Sequence, residues 1–202
     1  MRFSRTTIDW LLASLPLLAT LGVLAIWFPH EKAVAEHFAQ LRPHHPSLTG
    51  LFQIITDWGN AVFYAVYLFL LFRAWRTKDR KLARFVGVYI VAQLLIALVA
   101  VRFLKFTIGR PRPGGETLFQ PFASSGSMHS LPSGHTTEIT GAALPFALRN
   151  RRSLLSLGIG MVIGLVGFSR IYLGWHHPTD VFFGWLLGSV TGFAINTFAP
   201  KD

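Results

Sequence analysis

Six long apolar runs divide this chain, each bounded by charge, proline or glycine. They cover Trp10 to Phe28, about Trp58 to Phe72 with an earlier start near residue 52 once flanking residues are counted, Phe85 to Leu104, His135 to Leu148, Leu154 to Leu173 and Val181 to Phe198. A membrane-spanning helix needs roughly 20 apolar residues. The second and fourth runs are short by that measure, and flanking residues buried against the other helices are expected to complete them. The predicted architecture is all-α: a polytopic membrane protein of six transmembrane helices in one bundle. No break in composition splits it, so residues 1–202 read as a single integral-membrane domain.

Between the first two runs, Val34, Phe38 and Leu41 recur at helical spacing among Glu31, Lys32 and Glu36, which predicts an amphipathic helix over residues 30–42 lying on the membrane surface. His37, His44 and His45 lie in or near it without a metal-ligand pattern. In the last two runs glycines recur every four residues, at Gly160 and Gly164, then Gly184, Gly188 and Gly192. Small residues at that spacing let helix backbones approach closely, within one chain or across a dimer. The oligomeric state is left open. A signal peptide is the competing reading of the first run, with Arg2 and Arg5 ahead of it and Ala33-Val34-Ala35 resembling a cleavage site. Its apolar stretch exceeds the ~7–15 residues of a signal core.

Composition agrees with a membrane protein. The chain is 51% hydrophobic and 14% charged, against roughly 25% charged in average soluble proteins. The net charge of +10 would suggest nucleic acid in a soluble domain; here it reads as orientation, with no nucleic-acid partner. With the amino terminus on one side, that side's segments carry twelve of the nineteen Lys and Arg, from Arg2 and Arg5 through Arg73–Arg84 and Arg149–Arg152 to Lys201; the other side carries seven. The positive-inside rule then puts both termini in the cytoplasm, and loops 29–57, 105–134 and 169–180 outside. The absence of cysteine excludes disulfides, thiolate metal sites and Cys nucleophiles.

The chemistry sits in three clusters. Lys105-Phe106-Thr107-Ile108-Gly109-Arg110-Pro111-Arg112-Pro113 follows the third run; its prolines are expected to stop the helix and fix Arg112 in a turn, and Lys105 and Arg112 suit an oxyanion. Pro132-Ser133-Gly134-His135 precedes the fourth run. There a helix amino terminus offers free N–H groups, Ser133 suits the N-cap, Gly134 lets an anion approach, and His135 can give a proton. Ser169-Arg170-Ile171-Tyr172-Leu173-Gly174-Trp175-His176-His177-Pro178-Thr179-Asp180 joins the fifth and sixth runs. Arg170 can grip a phosphate, His176 can attack it, and Asp180 in the first helical turn can orient His176; His177 is the second choice. Odd-to-even connections emerge on one face, so all three clusters converge at the outer membrane–water interface.

With those residues in hand, the chain resembles the type 2 phosphatidic acid phosphatase superfamily of membrane lipid phosphate phosphatases. That family carries Lys-x6-Arg-Pro, Pro-Ser-Gly-His and Ser-Arg-x5-His-x3-Asp, and each is met here, by Lys105 with Arg112-Pro113, by Pro132–His135, and by Ser169-Arg170 with His176 and Asp180. The resemblance implies metal-independent, cofactor-free hydrolysis of a lipid phosphate or pyrophosphate through a phosphohistidine. Phosphatidic acid, phosphatidylglycerophosphate, undecaprenyl pyrophosphate and lipid A phosphates are the substrate candidates. His176 is then the nucleophile, Asp180 its orienting partner and His135 the general acid and base. Lys105, Arg112, Arg170, Ser133 and the Gly134 amide hold the phosphate, with no metal ligand. It further implies a multi-pass protein of the inner (cytoplasmic) membrane with its site facing the periplasm or exterior. Glu138, one turn after His135, lies outside the motif; it either tunes His135, touches the head group or pairs structurally. A lipid phosphotransferase using the same pocket, or a non-enzymatic lipid-binding membrane protein, is the alternative.

Overall fold

The fold, taken from a computed structural model, is described for residues 4–115 and 118–200; Arg2 and Lys201, which enter the charge count, lie outside them. All regular structure among the described residues is helical. Seven main helices follow in order: α1 Arg5–Trp27, α2 Glu31–Leu41, α3 Pro46–Thr77, α4 Arg80–Ile108, α5 Gly134–Asn150, α6 Ser153–Tyr172 and α7 Pro178–Phe198. Five of them, α1, α3, α4, α6 and α7, are long and apolar enough to cross a membrane. The protein is thus a multi-pass membrane protein. The second span is longer than its apolar run suggested, because α3 extends 32 residues from Pro46 through polar positions.

Helix α5 answers to the short fourth run. It has only 17 residues, and Thr136, Thr137, Ile139 to Pro145, Ala147 and Leu148 are buried. It is the central helix, with α1, α3, α4, α6 and α7 packed around it. A helix whose surroundings are protein needs small residues more than a long greasy stretch, and Thr, Gly and Ala fill its first half.

The glycine rows pack within the chain. A Cβ on Gly184 would lie 2.6 Å from the Ser133 carbonyl oxygen, one on Gly188 2.5 Å from Thr140 Cβ, and one on Gly192 2.7 Å from Leu144 Cδ2. These residues let α7 lie against α5. On α6, Gly160 and Gly164 receive α1 at its internal proline, Pro16. Pro16 cannot donate to the Leu12 carbonyl one turn earlier, and that oxygen sits where a Cβ on Gly160 would intrude, at 2.9 Å. The α1–α7 seam is tied by indoles: Trp10 Nε1 donates to Ser189 Oγ at 3.2 Å and Trp185 Nε1 to Ser14 Oγ at 3.1 Å. Buried Asp9 is held by Arg5 at 3.0 Å and Ser156 Oγ at 2.9 Å.

Helix α2 forms where its periodicity put it. Val34 and Phe38 are buried, and Phe38 meets Phe168 and Tyr172 of α6. Its apolar face is thus seated on the bundle, and Ala33-Val34-Ala35 lies inside it. Replacing Gly188 by alanine is expected to destabilise the fold by ~1–3 kcal/mol through overpacking. Alanine at Gly22, where nothing lies within 4 Å, is expected to change little; thermal melts of both variants in detergent compare them.

Candidate active site

The three clusters meet where the carboxyl end of α4, the amino end of α5 and the α6–α7 turn come together. Each is fixed by local backbone chemistry. Helix α4 ends on Gly109, whose left-handed conformation (φ 60°) caps it. The terminator is this glycine rather than the prolines, which only follow it; a Cβ there would strike the Gln120 carbonyl oxygen. The chain beyond is laced to its own return, with Arg112 N–H donating to Ser127 O at 2.8 Å and Ser130 N–H to Arg110 O at 3.0 Å. Lys105, in the last turn of α4, donates Nζ to His129 O at 2.8 Å.

Ser133 is the N-cap of α5, as its sequence position predicted, accepting from the Thr136 N–H and hydroxyl. Its own N–H donates to the Asp180 carbonyl at 2.9 Å. One backbone bond therefore joins the Pro-Ser-Gly-His segment to the first turn of α7. Gly134 has no packing reason to be glycine, since a Cβ would meet only Val101 Cγ1, at 3.8 Å.

The x5 spacing between Arg170 and His176 also has a structural cause. The Arg170 carbonyl accepts from both the Trp175 and the His176 N–H, at 3.0 and 3.1 Å. The turn, eased by Gly174 at φ 74°, curls His176 back beside Arg170. The Arg170 guanidinium lies 3.9 Å above the Trp175 ring and donates to Thr56 Oγ1 at 2.8 Å, leaving its buried Nε without a partner.

His176 and Asp180 are buried, at 2% and 0% exposure. Asp180 Oδ2 stands 3.6 Å from His176 Nδ1 and accepts from Ser130 Oγ at 2.5 Å and the His177 N–H at 2.8 Å. Oδ1 accepts from Arg110 at 2.6 Å. Burial pulls the His176 imidazole down to about 3, and Lys105 and Arg170 press the same way against the opposing pull of Asp180. The ring is therefore neutral and able to donate a lone pair. His177, lowered chiefly by its own burial, gives its backbone N–H to Asp180 and serves as N-cap of α7, so it is the cap and His176 the partner of the carboxylate. His135 stands within electrostatic reach of Arg170, Lys105 and Arg112, with Asp57 of α3 the acid near it. Arg112 makes no side-chain hydrogen bond to any described residue, and its Nε is buried.

The structure thus gathers His135, His176, Asp180, Lys105, Arg112, Ser133, Gly134 and Arg170. Glu138 is turned to α3, accepting from Asn60 Nδ2 at 2.8 Å and Tyr64 Oη at 2.7 Å. Sequence reasoning missed Arg110, Ser130, Thr56, Trp175 and Glu31. Arg110 and Ser130 lay in view beside the motifs, but nothing in their spacing told that they hold Asp180. No group of three or more potential metal-ligating side chains occurs among the described residues.

The chain is similar to known proteins. The chain is 30% identical over 151 residues to an undecaprenyl-diphosphatase of Sulfolobus acidocaldarius, covering 73% of this chain and 68% of that one. It is 30% identical over 154 residues to a lipid A 4'-phosphatase of Porphyromonas gingivalis, covering 73% and 64%. The crystal structure of a transmembrane PAP2 type phosphatidylglycerolphosphate phosphatase from Bacillus subtilis shares the fold, with a TM-score of 0.63, 24% identity, and coverage of 90% of this chain and 93% of that one. The sequence profile of the PAP2 superfamily matches residues 86–202, which hold all three clusters, and the chain belongs to that superfamily.

Proposed function

We propose that the protein hydrolyses a phosphate or pyrophosphate group on a membrane lipid, using His176 as nucleophile. The observation that carries this reading is a buried imidazole whose Nδ1 stands 3.6 Å from a buried carboxylate, inside a group of cations that includes Arg112, whose guanidinium bonds no described residue. Nδ1 faces Asp180, so Nε2 is the attacking atom. It forms a bond to phosphorus while the bond to the lipid oxygen breaks, and His135 gives that oxygen a proton. Asp180 stabilises the positive charge that grows on His176. His135 then takes a proton from water, the water attacks the phosphohistidine, and inorganic phosphate leaves with His176 restored.

Lys105, Arg112 and Arg170 supply fixed positive charge to the phosphoryl oxygens, the service Mg2+ gives in other phosphoryl transfers. Ser133 and the Gly134 N–H complete the cradle, and the free space at Gly134 suits an anion resting on the backbone. The relatives act on polyprenyl and lipid A substrates by name, and the substrate here belongs to that lipid class. In this reading the chain crosses an inner membrane six times, counting α5, with both termini in the cytoplasm, as the distribution of Lys and Arg suggests, and the site on the outer face. This reading requires no metal ion or cofactor.

Three outcomes are expected. His176→Ala abolishes metal-free phosphate release from a panel of lipid phosphates and diphosphates while the protein keeps its melting temperature; full activity in that variant ends the hydrolase reading. A labelled donor offered with acceptor lipids places its label in inorganic phosphate; label in a lipid establishes a phosphotransferase instead. Folding stability falls as pH drops from 6.5 towards 4, because the unfolded imidazole takes a proton that folded His176 refuses. The His176 contribution to this slope approaches ~1.4 kcal/mol per pH unit, so His176→Asn flattens it in melts at pH 6.5, 5.5 and 4.5. Equal slopes would show that His176 is not held neutral.

A further inference from the structure

Asp180 carries a buried charge, and the guanidinium bonded to it belongs to neither phosphate-cradle arginine. Arg110 Nη1 donates to Asp180 Oδ1 and to Thr179 Oγ1, both at 2.6 Å. Its Nη2 donates to Glu31 Oε2 at 2.6 Å. Glu31 in turn accepts the Thr179 N–H on Oε1 at 2.6 Å, so it also caps the first turn of α7. The side chains are 14% exposed for Arg110 and 29% for Glu31, well shielded for an ion pair.

The two neighbouring arginines are used differently. Both terminal nitrogens of Arg110 donate to carboxylates. The Arg112 guanidinium has no such partner among the described residues. Bidentate guanidinium pairs fix geometry as well as charge. Arg110 is itself held in place, because its carbonyl accepts from Ser130 N–H, and Ser130 Oγ reaches the other oxygen of the same Asp180. The carboxylate is thus gripped on Oδ1 by Arg110 and on Oδ2 by Ser130 and the His177 N–H, which leaves one orientation from which it meets His176.

We propose that Arg110 is a positioning residue for Asp180 and that Glu31 clamps Arg110 in place, so that the seating of α2 on the bundle sets the alignment of the nucleophile. The inference rests on the hydrolase reading above. Glu31 begins α2, whose Val34 and Phe38 anchor it to the bundle; a helix outside all three motifs thereby acts on the chemistry through one arginine.

The test compares purified wild type with R110Q, R110K, E31Q, D180N and the double variant R110Q/D180N. Dioleoyl phosphatidic acid and farnesyl diphosphate in detergent micelles serve as probes, with released phosphate measured across substrate concentration. R110Q is expected to lower kcat about 100-fold with KM within about threefold, since a lost orienting contact acts in the transition state. R110K recovers part of this loss. E31Q lowers kcat about fivefold, and the double variant is no worse than D180N, as residues acting in one unit are non-additive. A rise in KM larger than the fall in kcat would make Arg110 a phosphate ligand and overturn the relay. So would losses that multiply in the double variant, or wild-type kcat in E31Q. If R110Q does not fold, E31Q and R110K decide by the same criteria. Wild-type protein silent towards both probes overturns the hydrolase reading and the relay with it, whereas an active wild type with unaffected variants overturns the relay alone.

Discussion

The candidate site depends on one buried negative charge. Taking a carboxylate out of water costs several kcal/mol unless it is paired and hydrogen-bonded, and Asp180 is wholly buried. Its partners come from separate parts of the chain: Arg110 after α4, Ser130 before α5, and His176 and His177 in the α6–α7 turn. Satisfying that charge draws the three connections into one place. The convergence that makes the candidate site therefore follows from the same interactions that make the buried carboxylate tolerable.

The helix packing supplies the rigid ground for this. The turn between α6 and α7 can face the start of α5 because α7 lies against α5 along a row of glycines, with Gly184 against the Ser133 carbonyl. Lipid gives apolar helices little reason to associate, so close backbone contact and interhelical hydrogen bonds carry the association. The Trp–Ser pairs along α1 and α7 and the Tyr67 hydroxyl on the Ala142 carbonyl, at 3.0 Å, are bonds of that kind. A precise site follows from this packing because α5, α6 and α7 deliver His135, Arg170 and Asp180 at their ends.

Much of this was legible in the amino-acid order. Apolar runs gave the long helices, and motif spacing gave the eight residues that the fold brings together. The x5 gap between Arg170 and His176 looked arbitrary in sequence; in space it is one turn closed on the Arg170 carbonyl. The fourth run is the one whose helix falls short of the length of a span, and α5 is surrounded by its neighbouring helices. Arg110 and Glu31 were illegible as a pair, being 79 positions apart and joined only when α2 is seated. Glu138 shows the converse. Its position one turn from His135 allowed three roles, and in space its carboxylate accepts from Asn60 and Tyr64 of α3.

Electrostatics makes the arrangement asymmetric in a useful way. His176 is kept neutral by burial and by nearby Lys105 and Arg170, and in the proposed mechanism Asp180 stabilises the charge that appears once the ring bonds to phosphorus. In the proposed mechanism, the cations that disfavour a proton on His176 also hold the anionic phosphoryl group. The most direct test of this account is to quench turnover of a terminally labelled lipid phosphate in alkali and locate the label by peptide mass spectrometry. The account predicts an acid-labile, alkali-stable phosphate on His176. Label on another residue, or turnover in which water's oxygen reaches phosphorus with inversion and no phosphoenzyme, would contradict it.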